Sequence, residues 1–428
     1  MLFRGIKTLL PNAIAKRSSG VYVDTECGKR FLDFSSGFGV TNIGHCHPAV
    51  VGATKTACEQ LVHSQMSIMK HRPMMDLMTN LTNLEISKKS NFDSWYLWNS
   101  GTEAVEGACK LARQATKRPN IISMNGAYHG RTYLSMALTT SGTKYRANFG
   151  PLPSGVFKCP FPKTQPGMNQ SINDNYWGYS SITDITNETN KCLYELRQML
   201  SMQTSPEETA AIIVEPILGE CGYIPAPPGF LTGLRKICNE HGILLIFDEV
   251  QTGFGRTGSM FACDWIDGGV SPDIIVMAKG LANGFPLSAI GTRKELSDKQ
   301  SPGTMGGTYG GNAVACAAAN AVFDVFRNQN ILEETRQREK EIRLMVHRIS
   351  LKHGGLVKEF RGRGLMVGLE LNNSDKADLI ANKCCENGLL LLTSGPKNVI
   401  RLIPALTITD EELKTGLTIL EDVIASVG

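Results

Sequence analysis

Three short runs in the middle of the chain limit its fold more than any other feature: AAIIVEP at Ala210–Pro216, LLIFDE at Leu244–Glu249 and DIIVMAK at Asp273–Lys279. Each is apolar on consecutive residues rather than alternate ones, the mark of a strand buried on both faces. SWYLW from Ser94 and NIISM from Asn120 add two more, and helical patterns lie between them. Strands alternating with helices predict an α/β fold around a mainly parallel sheet. Ligands of such sheets bind beyond the carboxyl ends of the strands, where Asp248 and Lys279 fall.

A chain of 428 residues exceeds what one core usually supports. Residues 56–320 are expected to form a large domain and residues 321–428 a smaller α+β domain, joined by the N-terminal segment 1–55 through strands near VYVDTECGKRFLDF. The stretch 151–205 is rich in Pro, Asn, Ser and Thr and reads as a long surface excursion. A net charge of +4 is too small a bias to suggest nucleic acid or an anionic membrane as partner, and no run reaches the roughly 20 apolar residues of a membrane span. Small-molecule chemistry is the default expectation. The 12 cysteines follow no framework spacing, which fits reduced thiols and a cytoplasmic protein. The basic opening MLFRGIKTLLPNAIAKRSSG raises a mitochondrial presequence as the competing reading, although Pro11 interrupts a helix there. Cys46 between His45 and His47 has no third ligand at a recognisable spacing, so no metal site is expected.

Lys279 ends an apolar strand, and Asp248 ends the one before it. Alone, the lysine reads as a snorkelling surface residue and the pair as an ion pair. Pyridoxal 5'-phosphate gives both a use: a Schiff base on the lysine, and a carboxylate against the protonated pyridine nitrogen. Its phosphate would fit NSGTEAVEGACKLAR, where Gly101 and Thr102 open a helix behind the capping box Ser100-x-x-Glu103. Tyr128 and His129 in AYHGRT are candidates to stack on one ring face, and Val250 covers the other. Gly253, Gly255 and Gly258 also spell the dinucleotide pattern G-x-G-x-x-G. No helical period follows them and they lie far from the first strand–helix–strand unit, so that reading is set aside.

With GHCHP, NSGTEAVEGACKLAR, GAYHGRT, VEPILGECGY, LLIFDEVQTGFGRTG, AKGLANGFPLSA and GGTYGGN in place, the sequence resembles the class III aminotransferases over nearly its whole length. The resemblance implies the fold type I architecture of pyridoxal phosphate enzymes, with a seven-stranded type of sheet. It implies Lys279 as the cofactor lysine, Asp248 on the ring nitrogen, Gln251 near the ring hydroxyl, and Gly101 and Thr102 on the phosphate. Thr308 would reach the phosphate of the other subunit in a homodimer. The tail LTSGPKNVIRLIPALTITDEEL most resembles the 4-aminobutyrate branch, with 2-oxoglutarate as acceptor. Arg131 would then hold the carboxylate of 4-aminobutyrate and Arg401 the α-carboxylate of glutamate, with Glu220 pairing Arg401 when that site is empty. Phe38 departs from the family pattern: it lacks the hydroxyl expected of an ornithine enzyme and is expected to narrow the pocket. Acetylornithine, ornithine or another ω-amino acid or diamine as donor remains the alternative, with an aminomutase as a further one.

Overall fold

The computed structural model describes residues 5–6, 8–163, 182–394 and 398–428. Its largest sheet has seven strands in the order Ser94–Trp98, Ser288–Thr292, Ile274–Met277, Leu244–Asp248, Thr209–Val214, Asn120–Met124 and Val156–Cys159. The five from Ile274–Met277 to Val156–Cys159 run parallel, and Ser288–Thr292 is antiparallel to both of its neighbours. All residues of Thr209–Val214, Leu244–Asp248 and Ile274–Met277 are buried, as their unbroken apolar runs predict. Helix Gly101–Thr116 covers one face with Ala104, Val105, Ala108 and Leu111.

The register fixes what meets at the carboxyl edge. Asp248 lies opposite Val276, so Lys279 follows three residues beyond on the neighbouring strand, and Phe247 lies opposite Val214, so Glu215 flanks Asp248 on the other side. A second sheet is antiparallel, in the order Val357–Arg363, Met366–Leu371, Val399–Leu402 and Leu392–Ser394. In a third, Arg30–Asp33 pairs in parallel with Leu389–Leu390, so the two ends of the chain share a sheet.

Two elements fall inside the stretch that composition marks as a surface excursion. Val156–Cys159 is an edge strand of the large sheet, and Ile182–Met202 is a helix that buries Cys192, Leu196, Met199 and Leu200. Asn, Thr and Glu on its outer face dilute the apolar period, which is why the sequence reads there as loop. Part of that stretch, residues 164–181, lies outside the described residues, as do parts of the basic N-terminus.

The glycine-studded loop after Leu244–Asp248 is a clamp. Arg256 is fully buried, its Nη1 donates to the carbonyls of Leu365 and Pro404, and its Nη2 donates to Asn42 Oδ1 at 2.9 Å. Gly255 has φ +82°, and a Cβ there would stand 2.8 Å from Leu406 Cδ1 and from Phe326 Cε1, so close approach and backbone angle both require glycine. No α-helix follows before Ile274–Met277, only two 3₁₀ turns. His45, Cys46 and His47 are likewise placed for other work: His45 Nε2 is 2.9 Å from Asp33 Oδ2, His47 caps helix Pro48–Gln60, and Cys46 is exposed.

Replacing Arg256 by Met leaves three buried acceptors without a donor. We expect Arg256→Met to lose about 2–4 kcal/mol of unfolding free energy in urea. An unchanged midpoint would show that the loop does not depend on this guanidinium.

Candidate active site

Four adjacent strands deliver their ends to one cavity of about 480 Å³, within the range usual for small-molecule sites. Gly101, Thr102, Tyr128, His129, Arg131, Glu220, Asp248, Val250, Gln251 and Lys279 all line it. Phe38, Arg401 and Thr308 do not. Arg401 stands directly behind Glu220, Phe38 is 49% exposed, and Thr308 is exposed away from the cavity of its own chain.

Lys279 opens a 3₁₀ turn with φ +46°, an uncommon angle for a residue with a Cβ. Gly280 follows because a Cβ there would come within 2.4 Å of Asn42 Nδ2. Burial lowers the Lys279 amine to about 8, with Glu220 pulling upward and Arg401 pushing downward. At about 8, roughly a fifth of this amine is neutral near pH 7.4, against about one part in a thousand for an ordinary lysine near 10.4, so a usable share is free to act as a nucleophile or proton carrier.

Asp248 is 5% exposed and faces the cavity with no lysine or arginine bonded to it among the described residues. Its Oδ1 accepts from Val250 N–H at 3.1 Å, and its Oδ2 lies 2.8 Å from His129 Nδ1. His129 thus lies at the cavity wall with its side chain buried and its ring held against the Asp248 carboxylate. Tyr128 is the half-buried ring beside it.

The turn before helix Gly101–Thr116 also differs in detail from a capping box. Glu103 accepts from Asn99 N–H at 3.1 Å and from the Ser100 hydroxyl at 2.8 Å, one residue further back than the Ser100 amide. The first intrahelical donor is Ala104, 3.1 Å from the Ser100 carbonyl, which leaves the Gly101 and Thr102 amides at the free positive end of the helix. The Thr102 hydroxyl is engaged with Ser135 Oγ at 2.6 Å and Thr132 Oγ1 at 2.8 Å. A Cβ on Gly101 would lie 3.0 Å from Val250 Cγ1, so the start of this helix and the valine are packed together.

Arg131 and Arg401 occupy two ends of this region. Arg131 Nε donates to Tyr128 Oη at 2.9 Å, and its guanidinium lies 4.9 Å from the Tyr145 ring centroid. Arg401, 2% exposed on strand Val399–Leu402, donates from Nη1 to Glu220 Oε1 at 2.6 Å and from Nη2 to the Thr393 carbonyl at 3.2 Å. Burial pushes the Glu220 carboxyl up, but Arg401 beside it holds it below the ordinary carboxylate value. The Phe38 ring lies 5.3 Å from the Arg401 guanidinium, in a turn where Ser36, Gly37, Phe38 and Gly39 all have positive φ. Phe38 packs on the arginine and is not among the residues that line the cavity. Gln251 Nε2 donates to the Phe38 carbonyl at 3.1 Å.

Two residues escaped sequence reasoning. Glu215, at the end of Thr209–Val214, accepts from the amides of Tyr128 at 2.8 Å and Gly219 at 3.0 Å. Burial first, and then Asp248, push its carboxyl up to about 8, so it carries a proton at neutral pH. Its signal is the one that marks Asp248, an acid ending an apolar run. Tyr145, between Arg131 and Glu220, ends the 3₁₀ turn Thr143–Tyr145 and belongs to no motif.

The family model for aminotransferase class-III matches residues 6–424. The chain belongs to the class III aminotransferases. The 4-aminobutyrate aminotransferase of Escherichia coli (strain K12) is 35% identical over 97% of this chain and 94% of its own length. A 5-aminovalerate aminotransferase of Pseudomonas putida is 34% identical over 99% of this chain and 96% of its own. Among solved structures, the taurine:2-oxoglutarate aminotransferase of Bifidobacterium kashiwanohense, in complex with pyridoxal phosphate and glutamate, superposes with a TM-score of 0.89 at 28% identity, covering 100% of this chain and 95% of that one. This class III aminotransferase has the fold type I architecture, and its cofactor is pyridoxal 5'-phosphate. The cavity fits that group: a lysine whose pKa burial lowers, a buried carboxylate with no lysine or arginine on it among the described residues, and free helix amides lie around one space of suitable size.

The lowered Lys279 value gives a direct test. In cofactor-free protein, acetylation of Lys279 followed by peptide mass spectrometry should rise with a midpoint near about 8, against about 10.4 for an ordinary lysine. A midpoint near the ordinary value would remove the claim that burial tunes this amine.

Proposed function

We propose that this aminotransferase moves the amino group of an ω-amino acid, 4-aminobutyrate foremost, to 2-oxoglutarate, giving a semialdehyde and glutamate. The observation that carries the reading is Arg401 covered by Glu220 at 2.6 Å with its Nε buried and unpaired. A guanidinium with a movable carboxylate on one fork and an unused donor suits a second carboxylate. It suits equally an ω-amino substrate that has none to offer.

Bound pyridoxal phosphate supplies an electron sink for the pair left when a carbon–hydrogen bond breaks. In the proposed roles, Arg131 holds the substrate carboxylate and directs the amine-bearing carbon toward Lys279. Lys279 Nζ, in its neutral form, would accept the proton from that carbon and donate it onward from the same atom, so that the amine ends the step neutral again. Proton transfer by a positioned base contributes roughly 10²–10⁴-fold. Asp248, held by His129 Nδ1–H, would keep the ring nitrogen protonated, and Val250 and Tyr128 would hold the ring. The Gly101 and Thr102 amides would take the phosphate, and Thr308, exposed on its own chain, would serve the site of a second subunit. Similarity to 4-aminobutyrate and 5-aminovalerate enzymes over nearly the full chain supports the ω-amino acid class. Ornithine as donor is disfavoured because Phe38 has no hydroxyl for its α-carboxylate.

The test follows the visible absorbance of the cofactor in the loaded enzyme. 4-Aminobutyrate alone should bleach it and 2-oxoglutarate should restore it; bleaching by ornithine alone would move the donor to the rival branch. Arg401→Met should raise the KM for 2-oxoglutarate by about 30-fold or more, the usual scale for losing one side of a buried charge pair, with a smaller effect on 4-aminobutyrate. Equal effects on both substrates would withdraw the role of Arg401.

A further inference from the structure

Glu220 divides its two oxygens. Oε1 takes Arg401 Nη1 at 2.6 Å, and Oε2 takes the hydroxyl of Tyr145 at 3.1 Å. Tyr145 does not line the cavity, and it touches both arginine sites at once. Its ring lies 4.9 Å from the Arg131 guanidinium and edge-on to Tyr128 at 5.2 Å, while its hydroxyl ends on Glu220. Burial, with Glu220 adding to it, pushes the phenol above its ordinary value, so it stays a donor throughout the neutral range.

We infer that Tyr145 is a positioning residue that latches Glu220 over Arg401 and thereby sets the preference between donors with and without an α-carboxylate. The inference rests on the two-substrate reading above. For an α-carboxylate to reach Arg401, Glu220 must leave, and two bonds then break: the ion pair and the Tyr145 hydrogen bond. The incoming carboxylate replaces the first and leaves the second unmade. For an ω-amino acid the latch stays closed and neither bond is disturbed. The phenol hydroxyl therefore acts against glutamate and 2-oxoglutarate alone. The aromatic ring, which packs on Arg131, serves both substrates alike.

Tyr145→Phe separates the two contributions, because it keeps the ring and deletes the hydroxyl. The experiment measures each half-reaction by stopped flow on cofactor-loaded enzyme, with glutamate alone and with 4-aminobutyrate alone. The second-order rate constant for glutamate should rise about three- to tenfold, while that for 4-aminobutyrate changes by less than about twofold. In a Glu220→Ala background the same substitution should leave the glutamate rate unchanged, since the hydroxyl acts only through that carboxylate. Parallel changes with both donors, no change with either, a fall with glutamate, or a rise that survives Glu220→Ala would each overturn the latch. Wild-type enzyme that reacts with glutamate but not with 4-aminobutyrate would refute the proposed donor instead. The glutamate comparison across the four variants would still decide the role of Tyr145.

Discussion

One buried guanidinium ties the catalytic edge of the large sheet to the segments that carry the second arginine. Arg256 lies eight residues beyond Asp248 and ends on carbonyls at Leu365 and Pro404 and on Asn42. All three acceptors are neutral, so the desolvation cost is offset by hydrogen bonds alone, and burial lowers the guanidinium to about 10. Pro404 follows Arg401 on the same strand exit, and Asn42 follows the turn that carries Phe38. The same side chain therefore holds the segments of Arg401 and Phe38 against the loop that leaves the Asp248 strand. The glycines of GFGRTG serve this clamp, which explains why they resemble a dinucleotide loop and form none.

The paired acids of LLIFDE divide along the strand's own period. Successive side chains point to opposite faces. Asp248 turns to the cavity, whereas Glu249 turns back and accepts from the amides of Cys263 at 2.8 Å and Ala262 at 3.1 Å and from the Thr252 hydroxyl. Burial raises Glu249 to about 7, a cost accepted because it organises the loop that holds Arg256. One acid faces the cavity and its neighbour builds the support beneath it.

That division also marks what a sequence can disclose. Unbroken apolar runs disclose the buried parallel strands, and a polar residue ending such a run discloses Lys279 and Asp248. The same rule would have found Glu215, had every strand end been treated alike. The edge strand Val156–Cys159 is hidden because Lys158 breaks its apolar run, its amine reaching Ser123 Oγ at 3.0 Å. His129 was legible as a site residue but not as the partner of Asp248, because which ring nitrogen meets which oxygen depends on a loop's path and not on local pattern. Tyr145 was invisible for a related reason: its value lies in touching Arg131 and Glu220, 14 and 75 positions away, and no periodicity encodes that.

If Lys279 acts on two kinds of substrate as proposed, the charges around it bear on why a replaceable carboxylate would suit it. Burial lowers its pKa most, Glu220 pulls it up, Arg401 pushes it down, and Glu215 and Asp248 pull it up again, for a value of about 8. Were Arg401 left bare, its positive charge would drive the amine lower still; were Glu220 present alone, it would hold the amine protonated. On the proposed reading, an α-carboxylate entering on Arg401 displaces Glu220 and takes its place as the compensating anion. The sign and approximate position of the negative charge are then conserved between the two half-reactions. A single lysine, tuned once by its burial, can carry protons in both directions without retuning for each substrate.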